Sequence, residues 1–187
     1  MDIYSDQTLI SSYLKGEEKA LEILIKRYLN PIYNFVYRYI NNSQEAEDIT
    51  QEVFLKVWRN LKKYDVKKSF RTWIFQIAKN ACLDFLKKKK LILFSELEDI
   101  SGNNTFLETL IDPKPLPDEL FEQADLSLKL KSAINLLMPK YRLVLFLRYN
   151  DHFTFKEIAE ILNEPLNTIK SRHQRAIMAL RHLLLNP

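Results

Sequence analysis

Three groups of side chains have types and spacings that could do chemistry. Glu45, Asp48 and Glu52 stand three and four residues apart, which puts three carboxylates on one face of a helix. Carboxylates arranged this way could hold a divalent cation for phosphodiester hydrolysis. That reading is weak, because no histidine lies nearby and helical spacing alone builds no convergent cavity. A solvated face and a protein-docking face remain, and Phe54, Leu55 and Trp58 favour docking, since they exceed what one buried seam needs. The second group is Lys79 with Lys87, Lys88, Lys89 and Lys90. Lysine at a helix end complements the macrodipole, but four in a row go beyond that need and point to phosphate. Tyr64, Phe70 and Trp73 beside this patch could stack on an unpaired base, although helical aromatics more often form core. The third group is Thr168, Lys170, Ser171, Gln174 and Arg175. Lysine and arginine take guanine edges or phosphate, and serine and threonine take either.

These groups need helices to position them. Ser5 is placed to cap a helix carrying Leu9, Ile10, Tyr13 and Leu14, with Gly16 as its stop. Ala20, Leu21, Leu24, Tyr28, Ile32, Phe35, Val36 and Tyr39 follow at helical spacing, and Pro31 predicts a kink or a break. Ser43 is expected to cap a third helix with Ala46, Ile49, Val53, Val57 and Leu61 on its seam. Ser69 is expected to cap a fourth, with Phe70, Trp73, Ile74, Ile77, Ala78, Ala81 and Phe85 inward. Two further apolar-periodic helices, 126–137 and 141–149, flank Pro139. Thr154 and Glu157 form a capping box that opens a short helix, which ends at Asn163-Glu164-Pro165. Asn167 or Thr168 opens the last helix, with Ile169, His173, Ala176, Ile177 and Leu180 inward. Thr168, Lys170, Ser171, Gln174 and Arg175 then face out. A short capped helix, a tight turn and a second helix with polar, basic first turns make a helix-turn-helix, here over 155–178. An ordinary helical hairpin with a basic face is the plain alternative.

Composition narrows the field. Among 187 residues only two are glycine, which argues against phosphate-cradling loops, dinucleotide fingerprints and turn-rich β folds. The single cysteine, Cys82, excludes an intrachain disulfide and a multi-cysteine zinc site. The first ten residues carry no basic start followed by an apolar run, so no secretory signal is expected, and no stretch of about 18 apolar residues suggests insertion in a membrane. The net charge of +4 hides three blocks: 1–90 carry +6, 91–125 carry −8 and 126–187 carry +6. The acidic block contains Gly102, Pro113, Pro115 and Pro117, and reads as an extended linker. The expected fold is therefore all-α, two small helical domains (1–90 and 126–187) joined by an extended acidic linker (91–125).

The stretch Glu45-Ala-Glu-Asp-Ile-Thr-Gln-Glu-Val-Phe-Leu-Lys-Val-Trp58, followed by Phe70-Arg-Thr-Trp-Ile-Phe-Gln-Ile-Ala-Lys-Asn80 and Asp84, resembles the promoter-opening domain of bacterial RNA polymerase sigma factors. Phe155-Lys-Glu-Ile-Ala-Glu-Ile-Leu162, Pro165-Leu-Asn-Thr-Ile-Lys-Ser-Arg172 and Arg175-Ala176 resemble the C-terminal domain of the small extracytoplasmic-function class of the sigma-70 family. The match covers 1–90 and 126–187, in the family's order. Asn163 and Asn167 stand where the family usually has glycine, and each is the next best residue at positive φ.

The resemblance implies a sigma factor that binds core RNA polymerase, recognises two promoter elements and helps melt the downstream one. It implies that Asp48, Gln51, Glu52, Leu55 and Trp58 meet the polymerase. Lys79, Asn80, Asp84, Lys87 and Lys88, with the loop from Tyr64 to Ser69, would face the downstream element. Thr168, Lys170, Ser171, Arg172 and Arg175 would read the upstream element. The acidic linker would lie in a polymerase channel that otherwise holds nucleic acid. Promoter DNA, core RNA polymerase and an anti-sigma factor are the partners implied, in the cytoplasm. No catalytic activity, cofactor or metal is expected. Three rival readings are a response-regulator output protein, a metal-dependent nuclease and a protein-only adaptor; the first lacks a glycine-punctuated receiver pattern in 1–90.

Overall fold

A computed structural model describes residues 4–96 and 126–185, which fall in two compact units divided between residues 100 and 101. In the first unit α1 spans Asp6–Leu14, α2 Glu18–Ile40, α3 Ser43–Asn60 and α4 Phe70–Glu96, with a 3-10 turn Leu61–Lys63 after α3. The Thr8 amide donates to Ser5 Oγ at 3.1 Å, so Ser5 caps α1 as expected. The chain leaves α1 through Gly16 at φ 105°, a conformation costly for any residue with a Cβ. Asp6 then ties α1 to α2: its carboxylate accepts from Arg27 Nη1 and from the Tyr28 hydroxyl, each at 2.5 Å.

Pro31 does not split α2. The helix is continuous from Glu18 to Ile40, because Ile32, Phe35 and Val36, all fully buried just beyond the proline, hold it in the core. Burying each such side chain contributes ~1.5–3 kcal/mol, together more than the ~3 kcal/mol an interior proline costs. Asn41 closes α2 in the left-handed conformation, φ 56°, and its neighbour Asn42 caps α3 by accepting from the Glu45 amide at 3.1 Å. The cap is therefore Asn42, not Ser43; the two residue types cap almost equally well, and the turn geometry selects the earlier one. Ala46, Ile49, Val53 and Val57 form the buried seam of α3. Ser69 caps α4, accepting from the Thr72 amide at 3.3 Å. Phe75 and Cys82 join the expected core of α4, with Phe75 edge-on to Phe35 at 5.2 Å between ring centroids. Burial pushes the Cys82 thiol well above its ordinary pKa, so it stays a neutral packing group. Helix α4 runs to Glu96, past the boundary expected at residue 90. Residues 97–125, including most of the acidic block and its prolines, lie outside the described residues.

In the second unit α5 spans Leu126–Leu136 and α6 Pro139–Leu145, with Pro139 at the first helical position. A π-helical turn, Phe146–Asn150, continues α6 and closes with the Asp151 amide on the Phe146 carbonyl at 3.0 Å. Helices α7 (Phe155–Leu162) and α8 (Leu166–Leu185) follow. Leu137, Leu145 and Ala176 form a core cluster, with Tyr141, Ala179, Leu180 and Leu183 packed against it. Phe153, Ile158, Ile161 and Ile169 are buried around the α7–α8 turn.

Candidate protein-docking and nucleic-acid surfaces

Helix α3 buries one seam and presents another. Asp48, Gln51 and Glu52 are exposed, as are Leu55 (51%) and Trp58 (53%). The spacing 48, 51, 55, 58 places these groups along one stripe, acidic at its start and apolar at its end. Trp58 is fixed rather than loose: its indole N–H donates to the Tyr13 hydroxyl of α1 at 2.9 Å. The acidic part is partly neutralised from within the unit. Lys89 pairs with Glu45 at 2.9 Å, and Lys56 pairs with Glu52 at 2.8 Å and reaches Asp84 at 3.9 Å. Among the described residues no group of three or more acidic, histidine or cysteine side chains could hold a metal ion.

Along α4, Lys79 is half-buried, and Asn80, Asp84, Lys87 and Lys88 are exposed. The aromatic residues near its start are spent on packing. Tyr64 and Phe70 are buried, and Tyr64, Phe70 and Trp73 pack on one another with centroids 4.8–5.6 Å apart. Buried rings cannot receive a base, so the core reading holds for Tyr64 and Phe70. The loop from Tyr64 to Ser69, expected to face the downstream element, presents Lys67 and Lys68, and the 3-10 turn before it adds Lys62 and Lys63, which the sequence reading did not single out; all four are exposed. Asp65 shapes that loop by accepting from the Lys67 amide at 3.0 Å. Exposed lysines thus stand before the start of α4 and again at Lys87, a helical distance of about 25 Å from Phe70.

The helix-turn-helix is built as the sequence predicts, with three changes. Thr154 and Glu157 form the reciprocal capping box: the Thr154 amide donates to Glu157 Oε2 at 2.8 Å and the Glu157 amide to Thr154 Oγ1 at 3.3 Å. Asn163 ends α7 in the left-handed conformation, φ 54° and ψ 49°. The first change concerns Asn167: α8 begins at Leu166, directly after Pro165, so Asn167 is its second residue and has no positive φ. The second concerns Arg172, whose Nη1 and Nη2 donate to the two carboxylate oxygens of Glu164 at 2.9 and 2.6 Å. This fork-to-fork pair ties the turn to α8 and occupies the guanidinium. The third is Ile177, which is 39% exposed rather than inward. Thr168 is half-buried, and its carbonyl accepts from the half-buried Ser171 hydroxyl at 3.0 Å. Lys170, Gln174 and Arg175 are exposed. His173 is half-buried against Phe155, with its Nε2 at 3.0 Å from the Tyr149 hydroxyl. Burial, and then the Arg148 charge, lower its pKa from the ordinary 6.5.

Among the described residues no helix is long and apolar enough to cross a membrane. The sigma-70 region 2 family matches residues 24–92, and the sigma-70 region 4 family matches residues 127–180. The chain is 34% identical to the ECF RNA polymerase sigma factor SigW of Bacillus subtilis over 94% of both chains. It is 29% identical to the ECF RNA polymerase sigma-E factor of Escherichia coli K12, over 94% of this chain and 92% of the other. A solved structure of the sigma factor RpoE with the anti-sigma factor NepR from Bartonella quintana shares the fold, with TM-score 0.66 and 22% identity over 90% of this chain and 98% of that one. Two matched regions in the family's order, on a chain whose second unit carries a helix-turn-helix, agree on one conclusion: this protein belongs to the extracytoplasmic-function sigma factors of the sigma-70 family, transcription-initiation factors rather than enzymes.

Proposed function

We propose that the two units divide the work of promoter-directed initiation, the first binding core RNA polymerase and the downstream element, the second reading the upstream element. The exposed α3 stripe carries this reading. Leu55 and Trp58 present neighbouring apolar surface on one stripe, beside carboxylates that complement a basic partner. Asp48, Gln51 and Glu52 steer and orient the polymerase, and Leu55 and Trp58 supply the buried centre of the contact. Lys79, Asn80, Lys87 and Lys88, with the loop lysines before α4, hold the downstream strand by its phosphates, and Asp84 limits how closely that strand approaches. Thr168, Lys170, Ser171 and Arg175 of α8 enter the major groove of the upstream element, and Arg172 positions α8 through Glu164.

The acidic block between the units occupies a basic channel of the polymerase. An anti-sigma factor, of the kind seated on the RpoE of Bartonella quintana, covers the same surfaces in the cytoplasm and releases them on a signal. The test is reconstitution of the full chain with purified core polymerase on a randomised promoter pool. The expected result is co-purification and selective transcription from a two-part sequence. Failure to bind core enzyme would overturn the assignment of the α3 stripe. Binding without selection would overturn the assignment of α8.

A further inference from the structure

We infer that Asn167 and Gln174 of α8 set the base preference of the helix-turn-helix, each by reading an adenine. The inference rests on the proposal that α8 enters the major groove of the upstream element. Of the five residues first expected to read bases there, Lys170 and Arg175 are exposed and the other three half-buried. Arg172 is held by both carboxylate oxygens of Glu164. Thr168 is half-buried, and the Ser171 hydroxyl is turned back onto the Thr168 carbonyl. Lysine is a point charge that serves phosphate as readily as guanine, so it discriminates poorly alone. A reading helix needs groups that both donate and accept.

The exposed stripe of α8 supplies two. Asn167, Lys170 and Gln174 are spaced three and four residues apart, which aligns them on one side of the helix, and all three are exposed. Among the described residues neither amide side chain is engaged in a hydrogen bond. A primary amide matches adenine in the major groove, donating to N7 while accepting from N6. Seven helical residues rise about 10.5 Å, close to three steps of ~3.4 Å along one strand. Two adenine preferences about three base pairs apart are therefore expected, with Lys170 on the backbone or base edge between them. Asn167 can do this only because α8 starts at Leu166; as a turn residue it would have stood outside the groove-facing stripe.

The experiment reconstitutes holoenzyme from the full chain and selects bound duplexes from a pool randomised over the upstream element. Asn167→Ala and Gln174→Ala should each relax one adenine preference about tenfold, at positions about three base pairs apart, and leave retention of scrambled duplex unchanged. Asn167→Asp, which loses the donor and keeps the acceptor, should move its position towards cytosine, whose N4 amino group donates. Its acidic side chain suits a first helical turn, so a folding defect is not expected, and a circular dichroism melt checks this. An unchanged profile in the variants, beside a wild-type enzyme that does select an upstream sequence, would overturn this inference alone. An equal loss on every duplex would make the amides phosphate contacts and overturn it as well. A wild-type holoenzyme that binds core but selects nothing upstream would overturn the proposed role of α8, and the inference with it.

Discussion

Trp58 on α3 and Tyr13 on α1 are 45 residues apart in sequence, yet the indole N–H donates to the phenol oxygen at 2.9 Å on the open surface of the unit. The bond gives α1 a part in the exposed α3 stripe. A tryptophan that is 53% exposed would otherwise sample several rotamers and lose that freedom on binding. Held by Tyr13, it is presented in one orientation.

Tyr13→Phe keeps the ring and removes the acceptor. A hydrogen bond of this kind is worth about 0.5–1.5 kcal/mol, so core-polymerase affinity should fall by about two- to twelvefold. Trp58→Ala combined with Asp48→Ala should cost more, on the order of 2–4 kcal/mol, because an aromatic anchor and a charge go together. The chain has two tryptophans, so the Trp58 indole N–H resonance can be followed directly and should shift in Tyr13→Phe. A shifted resonance with unchanged affinity would mean that the rotamer does not matter for docking.

The Glu164–Arg172 pair gives the second prediction. Arg172→Met should destabilise the C-terminal unit by about 1–2 kcal/mol, since it breaks two charge-assisted bonds at a half-exposed site. That amounts to a fall of roughly 4–8 °C per kcal/mol in the melting of a unit this small. Arg172→Lys should recover little, because an ammonium cannot make the fork. General DNA affinity should fall less than in Arg175→Ala. Full stability with a large loss of DNA binding would return Arg172 to the list of DNA contacts.

The balance between what was legible and what was hidden follows from sequence distance. Helical seams repeat within a few residues, so Ala46, Ile49, Val53 and Val57 on α3 and the Thr154–Glu157 box declare themselves. Partners that meet through the fold do not. Asp6 with Tyr28, Tyr13 with Trp58 and Lys89 with Glu45 have no spacing that a periodic pattern could register. Glu164 and Arg172 are closer, but the turn between α7 and α8 removes the pair from any three- or four-residue rule. Local choices between near-equal positions also escaped: Asn42 over Ser43 as cap, and a start of α8 at Leu166 rather than at Asn167 or Thr168. The π-helical turn at 146–150 has no sequence signal of its own.

Asn163 provides a third prediction, about the cost of a chain this poor in glycine. It holds φ 54° at the end of α7, where a Cβ is tolerated but not favoured. Asn163→Gly should leave stability unchanged or raise it by a few tenths of a kcal/mol. Asn163→Ala should lower it by about 1 kcal/mol, since alanine lacks the short polar side chain that eases this conformation. Chemical denaturation of the three proteins would check the order. Equal stability of Ala and Asn would mean that α7 does not end in a left-handed cap.

The last prediction concerns His173, packed between Tyr149 and Phe155 with the Arg148 guanidinium over the Phe155 ring. Burial first and the Arg148 charge second hold its folded pKa below the ordinary 6.5. The sign follows from proton counting. As pH falls through about 6.5 the unfolded chain takes up the proton first, so the unfolded state is favoured. The stability that the neutral ring contributes is thus complete above pH 6.5 and is lost as pH falls from there through the lower folded value. Replacing His173 by Gln removes the titration and keeps a polar group for the Tyr149 hydroxyl. Carboxylates elsewhere titrate alike in both proteins and drop out of the difference. The melting difference between wild type and His173→Gln should therefore be constant above about pH 6.5 and shift in favour of the variant below it. A difference independent of pH would mean that the ring protonates as easily in the folded unit as in the unfolded chain, and that the Phe155 and Arg148 packing does not exclude its charge.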